Sequence, residues 1–161
     1  MIDFKKKNYL QLLFILSFIV LATAYFIEFI LGYQPCNLCI IERVPYGLAI
    51  IILILNYKFK KDQIFYSILL LLVFAFSILI SLYHFSIEQN FIDESVACAA
   101  KNIDLITKED ILNSMQELQI SCKDVAFRVF GLSLTTYNIV ISLFMFFITI
   151  KVYLIKNDIK K

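Results

Sequence analysis

Two cysteines stand two residues apart in Pro35-Cys36-Asn37-Leu38-Cys39, and Ile40-Ile41-Glu42-Arg43 follows at once. A pair so spaced closes as a disulfide or opens to a dithiol. A thiolate that attacks it passes electrons on through a mixed disulfide. The same spacing also serves as half of a zinc site or as a structural bridge. Cys98 and Cys122 lie 24 positions apart, which does not resemble a zinc knuckle. A bridge between those two would contribute roughly 3 kcal/mol through loop entropy. A Cys36–Cys39 bridge closes only a tiny ring and stabilises little, so its use lies in reactivity. That argues against a purely structural account of the pair.

Ionisable residues surround it. Arg43 is four residues after Cys39. If a helix already includes Cys39, the two share one face, one turn apart. Pro45 argues for a later helix start, because proline sits easily only in a first turn. Either way the cysteines lie at or just before a helix N-terminus, whose partial positive charge favours a thiolate. Arg43 favours it further and brings a fixed fork of donors. Its blander reading is an arginine snorkelling at a membrane boundary. Glu42 reads as solvated. Glu28 is protonated, paired or interfacial, and the sequence does not choose among these. His84 is the sole histidine. It is a structural residue, or it and Arg43 together donate to a carbonyl-bearing ring between their two spans.

The elements that must position these residues are membrane spans. Of 161 residues, 61% are hydrophobic and 17% charged, against about 45–50% and about 25% in soluble domains. The apolar residues fall in long runs. Four spans are expected at about 9–31, 41–57, 64–87 and 129–154 within a single membrane domain, 1–161. The second begins near Val44, or as early as Leu38. The first also resembles a signal peptide, with Ala22-Thr23-Ala24 as a cleavage site, but the apolar run continues through Leu31. Connections at about 32–43 and 88–128 carry all four cysteines.

Lys5, Lys6, Lys7, Lys58, Lys60, Lys61, Lys151, Lys156, Lys160 and Lys161 are ten of the fifteen basic residues. They lie on the opposite side from the cysteines. The positive-inside rule then makes both termini cytoplasmic and the cysteines exoplasmic, where disulfides persist. In the long loop, Thr107 and Asp110 form a capping-box start. Ile111, Leu112, Met115 and Leu118 follow at helical spacing. This short amphipathic helix either lies in the membrane interface or packs on the spans. No glycine-rich phosphate loop and no nucleic-acid groove is present in the sequence.

The run from Pro35 to Arg43 closely resembles the signature of the DsbB family of bacterial membrane disulfide-forming proteins. Tyr83-His84 fits the same pattern. So do Cys122, Gly131-Leu132-Ser133 and Tyr137-Asn138. The resemblance implies an all-α membrane protein: a four-transmembrane-helix bundle with a long exoplasmic loop, in the bacterial inner membrane. It implies an enzyme that reoxidises a DsbA-like periplasmic thiol oxidase and passes electrons to ubiquinone or menaquinone. Carried over, Cys98 and Cys122 form the loop disulfide that the partner attacks, and Cys36 and Cys39 reoxidise it. Cys39 faces the quinone, with Arg43 beside it and His84 bordering the pocket. The surroundings of Cys98, Val96-Ala97-Cys98-Ala99-Ala100, are poorly marked and its neighbour is not a proline, which leaves open whether the loop suits a DsbA-like protein or a different partner. In vitamin K epoxide reductase-like proteins the Cys-x-x-Cys follows the loop cysteines. Here it precedes them.

Overall fold

The computed structural model describes residues 2–59, 63–93, 98, 121–123 and 127–160. The amphipathic helix expected from Thr107 lies outside the described residues. The architecture is helical: α1 Ile2–Phe29, α2 Asn37–Ile41, α3 Val44–Lys58, α4 Gln63–Glu88 and α5 Leu134–Lys160. Four apolar stretches are long enough to cross a membrane: Asn8–Phe29, Asn37–Lys58, Gln63–Glu88 and Leu134–Ile155. The chain is a multi-pass membrane protein. Its packing forms a bundle, with α5 against α4, α3 against both α4 and α1, and α1 against α5.

The second span is two helices rather than one. The single turn α2 starts right after Cys36, and the chain then turns at Glu42 and Arg43 before α3 begins. Pro45 causes the restart. It has no N–H to give and sits in the first turn of α3, where no partner is needed. Both starting points read from the sequence are therefore used. The dipole of α3 begins beyond the cysteines, so the direct Cys39 N–H to Cys36 Sγ bond, 3.2 Å, does the local work instead.

The fourth span, α5, starts at Leu134, later than the expected 129. Residues 128–133 form a small hairpin, β1 Arg128–Val129 and β2 Leu132–Ser133, with Arg128 opposite Ser133. Its two turn residues, Phe130 (φ 51°) and Gly131 (φ 83°), both take left-handed backbone, as a type I′ turn requires. Glycine meets that demand freely, whereas phenylalanine in the first position hides the signal. Ser133 then caps α5, its Oγ accepting from Thr136 N–H at 3.3 Å.

The core gathers Leu13, Tyr46, Ala49, Leu53, Leu70, Phe74 and Met145. Phe18, Leu72, Leu79 and Phe147 stay on the outside, where lipid is the solvent. Hydroxyls within the spans bond back to the carbonyl one turn earlier. Ser17 bonds Leu13, Ser81 bonds Ser77 (both 2.9 Å), and Thr149 bonds Met145 (2.8 Å).

Asn56 differs from these hydroxyls. Both polar atoms of its amide are buried, with no partner among the described residues. Leaving such groups unpaired costs about 1–3 kcal/mol. Asn56→Leu is expected to raise the thermal unfolding midpoint in detergent. A lower midpoint would mean that the amide is paired.

Candidate active site

Cys36 caps α2, and its sulfur stands 2.6 Å from that of Cys39, both thiols being free. Cys98 and Cys122 form a disulfide whose Cα atoms are 5.5 Å apart. Cys36, Leu38, Ile87, Cys98 and Cys122 share one buried cluster, with Cys39 and Tyr83 packed against it. Three separate parts of the chain thus bring both cysteine pairs to one corner of the bundle.

His84 projects from the last turns of α4 into that corner. Its Nε2 lies 3.5 Å from Cys36 Sγ, and its Nδ1 lies 3.0 Å from Glu42 Oε1 and 3.3 Å from the Thr135 hydroxyl. A carboxylate only accepts, so Nδ1 carries the proton and donates to Glu42. That leaves the Nε2 lone pair facing the Cys36 thiol. Glu42 is held on its other oxygen by Asn138 Nδ2 at 3.0 Å, and the same nitrogen donates to Ser81 Oγ at 2.8 Å. The Tyr46 hydroxyl donates to Asn138 Oδ1 and lies 2.8 Å from Ser142 Oγ. Ser142 in turn meets Ser77 at 2.9 Å.

One sequence reading changes here, and one left open is decided. Glu42 is buried inside this network rather than solvated. The turn between α2 and α3 points it inward, which neither its charge nor its neighbours foretold. Arg43 pairs with Glu28 of α1, and its guanidinium lies 5.0 Å above the Tyr25 ring. The choice left open for Glu28 therefore falls on pairing. The arginine is fixed against α1 by an ion pair and a cation–π contact. Asn138 belonged to the motif read from the sequence, but its bond to Glu42 and the part played by Tyr46 had no sequence signal.

Cys36 lies just before the second span. The Cys39 thiol, and after it the His84 ring, hold the Cys36 thiol down to about 5 against burial, which pushes it up. Around the two sulfurs the structure therefore favours charge on Cys36.

A cavity of about 550 Å³ opens beside the pair. Val20, Ala24, Ile27 and Ile141 are among its apolar lining residues, and Cys36, Cys39, Arg43 and His84 also border it. An apolar cleft with a few convergent polar groups is the usual form of a small-ligand site.

The family model described as disulfide bond formation protein DsbB matches residues 6–152. An uncharacterized protein of Rickettsia prowazekii (strain Madrid E) is 30% identical over 145 residues, covering 86% of this chain and 84% of that protein. No solved structure matches.

Proposed function

The chain belongs to the DsbB family of membrane disulfide-forming proteins, and from that premise we propose that it oxidises a DsbA-like periplasmic dithiol protein at the expense of a membrane quinone. The observation that carries the proposal is the meeting of the Cys98–Cys122 disulfide and the Cys36/Cys39 pair in one buried cluster at a cavity. Two cysteine pairs packed so closely exchange without a carrier, by thiolate attack on a disulfide sulfur.

In the proposed relay the partner's dithiol opens Cys98–Cys122, and the thiols so freed open a Cys36–Cys39 disulfide. The Cys36/Cys39 dithiol then closes again, releasing two electrons and two protons. A quinone, ubiquinone or menaquinone, bound in the cavity accepts both. His84 takes the Cys36 proton at Nε2, and Glu42 stabilises the imidazolium that results. Val20, Ala24 and Ile27 exclude water from one side, and Arg43 offers a donor toward the cavity.

Reduced protein in detergent, given a soluble quinone analogue, should lose two thiols per quinone reduced. Retention of the thiols with no quinone reduction would favour two structural disulfides instead. We further propose that the enzyme lies in the bacterial inner membrane, on the strength of its family, with both termini cytoplasmic, on the strength of its lysine distribution. Labelling of the reduced cysteines by an impermeant thiol reagent only after membrane permeabilisation would reverse that orientation.

Arg43→Ala is expected to lower kcat/KM for quinone roughly 10- to 100-fold, as for loss of one charged hydrogen bond of about 1.5–3 kcal/mol. The effect should fall mainly on KM. Arg43→Lys, which keeps the charge but not the fork, should be intermediate. Steady-state kinetics against quinone concentration decide it. Unchanged kinetics would leave Arg43 as an anchor of α1.

A further inference from the structure

Three ligand atoms suited to a soft cation converge at the corner already described. The sulfurs of Cys36 and Cys39 and a ring nitrogen of His84 all lie within 4.8 Å of one another. Tetrahedral zinc, with Zn–S about 2.3 Å and Zn–N about 2.0–2.1 Å, sets a sulfur–nitrogen edge of about 3.6 Å and a sulfur–sulfur edge of about 3.8 Å. The Cys36 Sγ to His84 Nε2 distance is 3.5 Å, so one edge already has the required length. The Cys36–Cys39 separation is 2.6 Å, and one sulfur would have to swing out by about 1.2 Å to complete the face. Cys39 is only partly buried and borders the cavity, so it has room to do so.

The support behind the ligands fits as well. His84 donates Nδ1–H to Glu42, and Asn138 holds the other carboxylate oxygen. A carboxylate behind a histidine fixes the tautomer with a free Nε2 lone pair and makes that nitrogen a better ligand. The cavity leaves a fourth position open to water or an outside ligand. Two sulfurs and one imidazole select zinc and its soft relatives over magnesium or calcium.

We propose that the reduced Cys36/Cys39 centre binds a soft divalent cation, Zn²⁺ in the first place, through Cys36, Cys39 and His84, and that the disulfide form does not. Binding forms two metal–sulfur bonds and one metal–nitrogen bond and displaces two protons to solvent, that of the Cys39 thiol and the one that Cys36 shares with His84, with no change in oxidation state. The bound cation holds the sulfurs apart and so blocks disulfide closure. Metal capture and thiol oxidation then compete for one dithiol. This goes beyond the quinone reading and does not depend on it, since any state with both thiols free would bind.

The test uses Co²⁺ as a visible probe on full-length protein in detergent, reduced with a phosphine under argon. A Cys98→Ser/Cys122→Ser background removes the other two thiols. One Co²⁺ per chain is expected, with thiolate-to-cobalt charge transfer and the strong visible bands of tetrahedral cobalt, displaced by Zn²⁺. His84→Ala should weaken binding at least tenfold, and Glu42→Gln roughly 10- to 100-fold. Cys39→Ser, at the edge of the cluster, should weaken binding and reduce the charge-transfer intensity per bound cobalt to about half, one of two thiolates being lost, and serves as the test if His84→Ala does not fold. Failure of the background protein to bind stoichiometrically overturns the site. So does binding that is insensitive to His84 and Cys39, or binding that needs Cys98 and Cys122. A protein that takes up Co²⁺ as described yet reduces no quinone would sink the quinone reading and leave the metal site standing.

Discussion

A Cys122→Ala variant is expected to lose turnover entirely and to accumulate a mixed disulfide between Cys98 and the partner protein. In the proposed relay the partner's thiolate attacks Cys98, and Cys122 is the sulfur that leaves. With Cys122 gone the loop disulfide cannot form; the free Cys98 thiolate instead attacks the disulfide of the oxidised partner, one partner sulfur leaving as a thiol, and no Cys122 thiol is present to release the adduct. Both loop sulfurs are buried in this structure, against Leu38 and Ile87. The arrangement therefore suits transfer between the two cysteine pairs. Attack by a soluble protein requires the Cys98 side of the cluster to open. Non-reducing gels of membranes from cells expressing the variant, followed by mass spectrometry of the adduct, read the outcome. An adduct that runs through Cys36 would reverse the order of the relay.

Much of this was legible in the chain because lipid writes in long words. Four apolar runs, each of some twenty residues, leave little choice of element. The Cys36-x-x-Cys39 spacing, Arg43 and His84 were marked as thiol, charged or titratable groups at one depth, and all of them border one cavity. What was hidden depends on short-range backbone geometry and on side chains meeting across helices. The break at Glu42–Arg43 turns one charged neighbour into the network and the next one out toward α1, yet in sequence they are simply adjacent. Asn138 reaches Glu42, and Tyr46 reaches Ser142, across 96 positions each, which no local pattern records. The hairpin before α5 escaped because Phe130 stands where asparagine or aspartate usually signals such a turn.

Replacing His84 with alanine is expected to cut quinone reduction by about 10²-fold or more near pH 6, the usual scale for loss of a general base. The direction with pH follows from Cys36. Its thiol ionises at about 5 rather than its ordinary 9.0, held down first by the Cys39 thiol and then by His84. A lowered value means that thiolate is present above about pH 5, so the wild-type rate should stay level from neutral pH down to that point and fall below it. Without the imidazole one lowering influence is gone while burial remains. The inflection should then move upward, toward the ordinary thiol range, and the variant should recover rate as the medium is made alkaline. Glu42→Gln removes the charge that stabilises the imidazolium but keeps the shape of the side chain. It should shift the profile the same way by a smaller amount. Breaking a buried charged pair also costs about 3–5 kcal/mol of stability, so a lower rate alone does not separate chemistry from a loosened bundle. The pH profile does, because loosening lowers the rate at every pH without moving the inflection. Single-turnover rates from pH 4.5 to 9.5, with thiolate absorbance followed in parallel, make the measurement. An inflection unmoved in both variants would reduce His84 and Glu42 to structural members of the network.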